Sequence, residues 1–270
     1  MKLIISGGGA RLSYLLGIKK YIEESNIIID EYAGSSSGAL FAVLMACKLK
    51  NEYIIKVYLR LIKDDIYKNN YKFKIIKKFL KIVLPKNCHE LCSGKVRISI
   101  SVSKFPLLKN QIINKFISRD HLIDIILSSC SFPFFINKNF FHKLSSTNSK
   151  GISLVDKQIY ATDGLFTNNT PLIEKNNSKN QIIIKTYVRS IYDLDLFIYK
   201  KISNYMMRQG YNEMKKFIEN GESIYNFTIS HNQYNTKIFV MYLIIYIIIS
   251  PILKNLINHY IKNKLLILKI

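Results

Sequence analysis

"YAGSSSGALFAVLMA", residues 32–46, is the stretch on which the fold turns. A short apolar start leads into Gly34-Ser35-Ser36-Ser37-Gly38, and an Ala/Leu/Met-rich helical run follows. Of the three serines, only Ser36 sits at the centre of G-x-S-x-G. In that arrangement a strand turns sharply into a helix, the flanking glycines leave room for the backbone, and the serine oxygen is exposed at the helix N-terminus. The same residues also suit an ordinary flexible turn, so the neighbouring segments have to decide.

Upstream, "LIISGGGARLSYLLG", residues 3–17, has the same layout. The run Leu3 to Ile5 precedes Gly7, Gly8 and Gly9, and Leu12, Leu15, Leu16 and Ile18 then follow at helical spacing. Strand, glycine turn and helix leave unpaired N–H groups where an anion is favoured. That anion is either a bound phosphate or an oxyanion formed during a reaction. "NIIIDEY" supports phosphate, because Asp30 falls about twenty residues beyond the glycines, as in a dinucleotide-binding unit. Leu12, at the third glycine position of G-x-G-x-x-G, opposes it.

Downstream, "IYATDGLFTNNTPL", residues 159–172, ends a short strand at Asp163-Gly164. Taken alone, Asp163 reads as an Asx turn or a helix cap. An α/β-hydrolase would place a histidine after the acid, and His231 and His259 lie downstream. That fold puts several strands before its elbow, whereas one βα unit precedes Ser36, and "SHNQYN" around His231 reads as a polar loop. His89, His121 and His142 show no partner spacing.

In combination, four segments resemble the patatin-like phospholipase family: "SGGGAR" (6–11), "GSSSGAL" (34–40), "SSCSFPFFI" (128–136) and "ATDGLFTNNTPL" (161–172). They stand in the family's order and cover residues 1 to about 190. The resemblance implies a three-layer α/β/α fold with a largely parallel central sheet. It also implies a Ser-Asp dyad, with Ser36 as nucleophile and Asp163 as its partner, and no metal or other cofactor. Leu12 and Leu165 stand where the family commonly has glycine. Both crowd backbone near the site, which bears on turnover and acyl-chain preference.

The chemistry runs as follows. Ser36 attacks an ester carbonyl while Asp163 takes its proton, and an acyl-enzyme results that water resolves. The oxyanion is held by N–H groups of the Gly7, Gly8 and Gly9 loop, Gly8 and Gly9 foremost, and of Ser37. An aspartate of ordinary pKa near 3.9 is a weak base, so its pocket has to be partly dry, and Leu165, Phe166 and "FPFF" suit that. Gly34, Gly38 and Gly164 support the backbone. Arg11 is either a surface residue or a group that orients Asp163 or lipid phosphate.

A chain of 270 residues with 49% apolar content can bury one sizeable core. The expected layout is a catalytic domain over 1–190, its C-terminal helical part over 191–221, a linker over 222–237 and an apolar tail over 238–270. "IFVMYLIIYIIISPIL" (238–253) carries no charge. As a helix it covers about 24 Å, short of a hydrocarbon core of about 30 Å, so it suits a tail anchor, an in-plane membrane helix or a buried helix closing the core; membrane contact is expected, because the preceding segments already account for the domain. Strands over 95–107 and 181–188, alternating with helices, point to a largely parallel sheet.

Cys47, Cys88, Cys92 and Cys130 are too few for a disulfide framework, and "CHELC" lacks a second ligand pair for zinc. The leading apolar run is too short for a secretory signal, which points to the intracellular side of a membrane and free thiols. The net charge of +22 rests on 34 Lys among 40 basic residues, spread along the chain. No nucleic-acid module accompanies it, so no nucleic-acid partner is expected. "YKFKIIKKFLKIVLP" puts Phe73, Ile76, Phe79, Leu80, Val83 and Leu84 on one helical stripe ringed by lysines. That stripe suits either an ordinary helix docked on the sheet or a helix lying on an anionic membrane, each lysine there contributing about 1 kcal/mol, and a lipid hydrolase favours the membrane. The expected partners are therefore a phospholipid or other acyl lipid as substrate and an anionic membrane surface. Two rival readings stay open: a catalytically weak membrane-docking protein of the same fold, and a dinucleotide-binding domain.

Overall fold

The computed structural model describes residues 1–9, 12–63, 72–104, 107–133, 136–137, 139, 141–144, 159–173, 181–185, 200–220 and 227–228. The strands are β1 (Lys2–Ile5), β2 (Glu31–Ser35), β3 (Val96–Lys104), β4 (Leu107–Ile113), β5 (His142–Leu144), β6 (Ile159–Asp163), β7 (Gln181–Lys185) and β8 (Phe227–Thr228). The helices are α1 (Leu12–Glu24), α2 (Ser37–Ala46), α3 (Asn51–Lys63), α4 (Lys72–Val83), α5 (Cys88–Cys92), α6 (Arg119–Ser129) and α7 (Lys200–Glu219). The chain divides into two units, Met1–Ile229 and Ser230–Ile270. Every residue of the second, including the apolar run 238–253, lies outside the described residues.

One sheet carries the strands in the order β5-β6-β3-β2-β1-β7-β8, with β4 also on β3. The centre is parallel, through β1–β2, β1–β7, β2–β3 and β7–β8. The β4, β5 and β6 pairings are antiparallel. The α/β class with a mostly parallel sheet is therefore as expected, and the antiparallel side is an addition to it. β3 is shared by two strands along one edge. Its first part pairs with β2 up to Ser35↔Ser99, and Ile100–Val102 pair with β6 from Asp163 back to Ala161. β4 occupies the opposite edge over Ile98–Lys104. Consequently β2 and β6 share one edge of β3 and run head to head, so their C-terminal ends meet.

Packing explains the helices. α2 is apolar on all sides, and each residue from Ser37 to Met45 is buried, as expected of a helix at the heart of a domain. α1 and α7 cross with their backbones in contact, because a Cβ added at Gly17 would lie 1.9 Å from the Met207 carbonyl oxygen. The lysine-ringed stripe of α4 packs inward: Ile76, Phe79, Leu80, Val83 and Leu84 are buried and Phe73 is half-buried, while Ile82 on the same helix is exposed. The stripe is therefore the core-facing side of a docked helix rather than a free face for lipid.

Three further elements differ from the sequence reading. His142–Leu144 pairs with β6 and Leu107–Ile113 with β3, neither strand being foreseen. Phe227–Thr228 fall in the stretch expected to be a linker and pair with β7. Among the described residues no helix is long and apolar enough to cross a membrane.

Candidate active site

Ser36 leaves β2 with φ 53° and ψ −128°, a positive φ on a non-glycine residue. Such a conformation costs about 1–3 kcal/mol and persists only where its surroundings enforce it. Two contacts do so. A Cβ at Gly34 would lie 2.4 Å from the Gly38 backbone, and one at Gly38 would lie 2.4 Å from the Ile5 carbonyl oxygen. β1, β2 and α2 therefore meet backbone to backbone, which only glycines allow. The Ser36 N–H also donates to Ser129 Oγ at 2.8 Å, and the Ser129 hydroxyl donates to the Ser99 carbonyl at 2.7 Å.

Ser36 Oγ donates to Asp163 Oδ2 at 2.9 Å across 127 residues of chain. The other carboxylate oxygen, Oδ1, accepts the Leu165 N–H at 2.9 Å. Asp163 is thus both the local cap that its sequence suggested and the partner of Ser36. The Ser101 hydroxyl donates to the Asp163 carbonyl at 2.7 Å, which ties this turn to β3. Gly164 closes it, since a Cβ there would lie 2.3 Å from the Ser99 carbonyl oxygen.

Asp163 is 1% exposed. Burial pushes its pKa from 3.8 up to about 7, and the hydrogen bonds from Leu165 and Ser36 pull it partway back. A carboxylate so placed is a far better proton acceptor near neutrality than one in water. Among the described residues no histidine is hydrogen-bonded to Ser36 or Asp163: His121 Nδ1 accepts the Ile117 N–H, and the His142 ring lies 4.9 Å from that of Phe73. His231 and His259 lie outside the described residues.

The expected anion-binding loop is partly committed within the protein. The Gly7 N–H donates to Asn169 Oδ1 at 2.8 Å, and the Gly8 N–H donates to Ser37 Oγ at 3.0 Å. The N–H groups of Gly9 and Ser37 have no acceptor among the described residues. All four residues, with Ser36 and Asp163, border one cavity of about 20 Å³, room for about one water. Its far wall is Cys130, Phe132, Ile136 and Leu165, and the Phe132 ring is stacked 5.5 Å from that of Phe166. Arg11 and the side chain of Leu12 lie outside the described residues. No group of three or more His, Cys, Asp or Glu that could hold a metal ion occurs among the described residues.

Residues 3–174 match the patatin-like phospholipase family. The chain belongs to that family. The dinucleotide-binding reading falls with this match, and Asp30, which had favoured it, pairs with the Met1 amino group instead.

Similar proteins named 1-acylglycerol-3-phosphate O-acyltransferase occur in mouse and human. The mouse protein is 32% identical over 111 residues, covering 38% of this chain and 26% of its own length. The human protein is 28% identical over 148 residues, covering 52% and 28%. The chain thus spans about a quarter of the curated relatives it matches. Among solved structures, VipD from Legionella pneumophila superimposes with a TM-score of 0.39 at 15% identity, covering 68% of this chain and 49% of that one. ExoU of Pseudomonas aeruginosa, solved with SpcU, gives 0.42 at 13% identity, covering 82% and 52%.

Within this patatin-like phospholipase domain, sequence reasoning missed Ser129 and Asn169. Asn169 grips the Gly7 peptide from both sides, since its Nδ2 also donates to the Gly7 carbonyl at 3.3 Å. The serine alternation in "RISISVS" carried a further signal: Ser99 hydrogen-bonds to Ser129, which holds the Ser36 turn, and Ser101 to the turn that holds Asp163, while Ile98, Ile100 and Val102 fill the core.

Proposed function

We propose that the chain is a lipid acyl hydrolase that cleaves fatty-acyl esters of phospholipids or related lipids through a Ser36–Asp163 dyad. The single observation behind this is the 2.9 Å bond from Ser36 Oγ to a carboxylate buried enough to titrate near neutrality. Ser36 Oγ bonds to the ester carbonyl carbon as its proton passes to Asp163 Oδ2. The oxyanion is received by the Gly9 and Ser37 N–H groups, with the Gly7 and Gly8 peptides held in place by Asn169 and Ser37 Oγ. Collapse breaks the ester C–O bond, and Asp163 returns the proton to the leaving alcohol. Water then attacks the acyl-Ser36 ester with Asp163 again as base, releasing the fatty acid.

The site is read as working at an anionic membrane surface on the intracellular side. The net charge of +22 and the apolar run 238–253 support that placement. Labelling by a fluorescent organophosphonate tests the chemistry. Wild type and His231→Ala should label, Ser36→Ala should not, and Asp163→Asn should label weakly. Absence of labelling in folded, membrane-supplied wild type would leave the membrane-docking reading, in which liposome binding survives Ser36→Ala without lipid turnover.

The names of the curated relatives favour a second reading, in which an acceptor alcohol replaces water at the acyl-enzyme. Supplying 1-acylglycerol-3-phosphate with a labelled acyl-lipid donor separates the two. Label in free fatty acid marks hydrolysis, and label in a diacylated product marks transfer.

A further inference from the structure

β4 pairs with β3 on the edge opposite β2 and β6, and it carries a polar side chain with no part in the acyl chemistry. Asn110 lies opposite Ser101 in the register and is exposed. Its Nδ2 donates to Ser99 Oγ at 2.7 Å and to Thr167 Oγ1 at 3.2 Å, with the Ile100 carbonyl 3.4 Å away. Its Oδ1 accepts from Asn168 Nδ2 at 3.5 Å. One amide on an edge strand thus meets both β3 and the turn that follows Asp163.

The hydroxyls set the direction of these bonds, because each has one proton to give. Ser99 Oγ gives its proton to the Asn168 carbonyl at 2.9 Å, so towards Asn110 it accepts. Ser101 Oγ gives its proton to the Asp163 carbonyl at 2.7 Å. The 2.8 Å contact between Ser101 and Thr167 is therefore donated by Thr167, which in turn accepts from Asn110. Two hydrogen-bond chains start on the one amide. The first runs through Ser99 to the Asn168 carbonyl, and the second through Thr167 and Ser101 to the Asp163 carbonyl. Ser99 and Ser101 are fully buried, so each bond of theirs is made within the protein. Aligned bonds of this kind polarise one another.

We propose that Asn110 is a positioning residue for the reaction at Ser36, fixing both ends of the 163–169 turn from the edge of the sheet. At one end the turn presents the Asp163 carboxylate to Ser36 Oγ at 2.9 Å. At the other, next to Asn168, the Asn169 amide holds the Gly7 peptide of the oxyanion loop. Base and loop are thereby kept at one spacing by a side chain that touches neither. A misplacement of about 1 Å at a reacting centre costs on the order of 10²-fold in rate, so a partial loosening is measurable. The kinetic consequence rests on the hydrolase reading, and the structural one does not.

Kinetics and amide exchange on the full chain test it. With p-nitrophenyl butyrate, Asn110→Ala should lower kcat, and with it the organophosphonate labelling rate, about tenfold while KM changes less than about twofold. Its melting temperature should move by less than about 2 °C, since the residue is exposed. Lys109→Ala, the exposed neighbour on β4, should leave both rates within about twofold of wild type; a loss equal to that of Asn110→Ala assigns the effect to the strand and overturns the role. Thr167→Val should also lower kcat, and the double variant should lose less than the product of the two single losses; a full product overturns the chain of bonds. Exchange of the Leu165 and Gly7 amides, whose bonds lie at the two ends of the turn, should quicken at least about tenfold in Asn110→Ala. Unchanged exchange, or a labelling loss below about twofold, overturns the positioning role. Wild type that fails to label defeats the hydrolase reading, and exchange then still decides whether Asn110 holds the turn.

Discussion

The cavity at Ser36 and the cavity between α1, α3 and α7 are both bordered by residues at or near α1, yet they treat charge in opposite ways. The first has about 20 Å³, apolar walls and a single carboxylate shut away from water; the second has about 410 Å³ and keeps two cations and a carboxylate at its rim. The contrast is one of burial and of charge. Desolvation raises the energy of the Asp163 anion and so makes it basic, at the expense of folding stability. Lys20, Glu52 and Arg208 at the second cavity instead stay exposed to water.

That contrast is broken most directly at the nucleophile. Ser36→Ala should reduce organophosphonate labelling and ester turnover by at least about 10⁴-fold while leaving the circular dichroism spectrum unchanged. Residual turnover within tenfold of wild type would mean that another group carries the chemistry. Asp163→Asn should lower the labelling rate by about 10²–10⁴-fold, since an amide accepts no proton.

The pH profile sharpens the same point. With Asp163 titrating at about 7, kcat/KM should fall about tenfold per unit below that value and level off above it. A profile that is flat down to pH 5 would mean that the carboxylate is not desolvated in solution.

Stability gives a further sign. The folded-state pKa of Asp163 is raised above its unfolded value of 3.8, so the folded form holds a proton that the unfolded chain has already released between those limits. Stability on this account is therefore greatest below about pH 4 and declines as pH rises through about 7. Asp163→Asn removes the decline and should raise the melting temperature at pH 8, with a ceiling of about 4 kcal/mol, and should change it little at pH 4. Thermal unfolding at the two pH values reads this directly. The smallest expected effect is at the other cavity: Arg208→Ala should alter labelling at Ser36 by less than about twofold, in a time course matched to wild type.

How much was legible depended on distance along the chain. β1, the glycine turn, α1, β2, the Ser36 elbow and α2 are each built from neighbours in sequence, and hydrophobic periodicity with glycine placement announces them. α4 was legible as a helix, but whether its stripe faced lipid or core was not, because the same amphipathic pattern serves both. Asp163 was legible as a turn residue and as a family match. Its basicity was legible only as a requirement for a partly dry pocket, with Leu165, Phe166 and "FPFF" as candidates; that Cys130, Phe132 and Leu165 close round it from separate segments was decided by the fold.

The sequence by itself determined the local machinery: which serine sits in an elbow, which glycines permit backbone contact and which aspartate ends a strand. Tertiary structure alone decided that β2 and β6 run head to head along β3, bringing Ser36 within 2.9 Å of Asp163. It also decided that Asn169 and Ser37 take up two of the loop N–H groups, and that α1, α3 and α7 enclose a charged cavity. The physical reason is one and the same. Periodicity and turn chemistry are short-range, whereas strand order, burial and the electrostatics that follow from burial are fixed by contacts between residues tens to hundreds of positions apart.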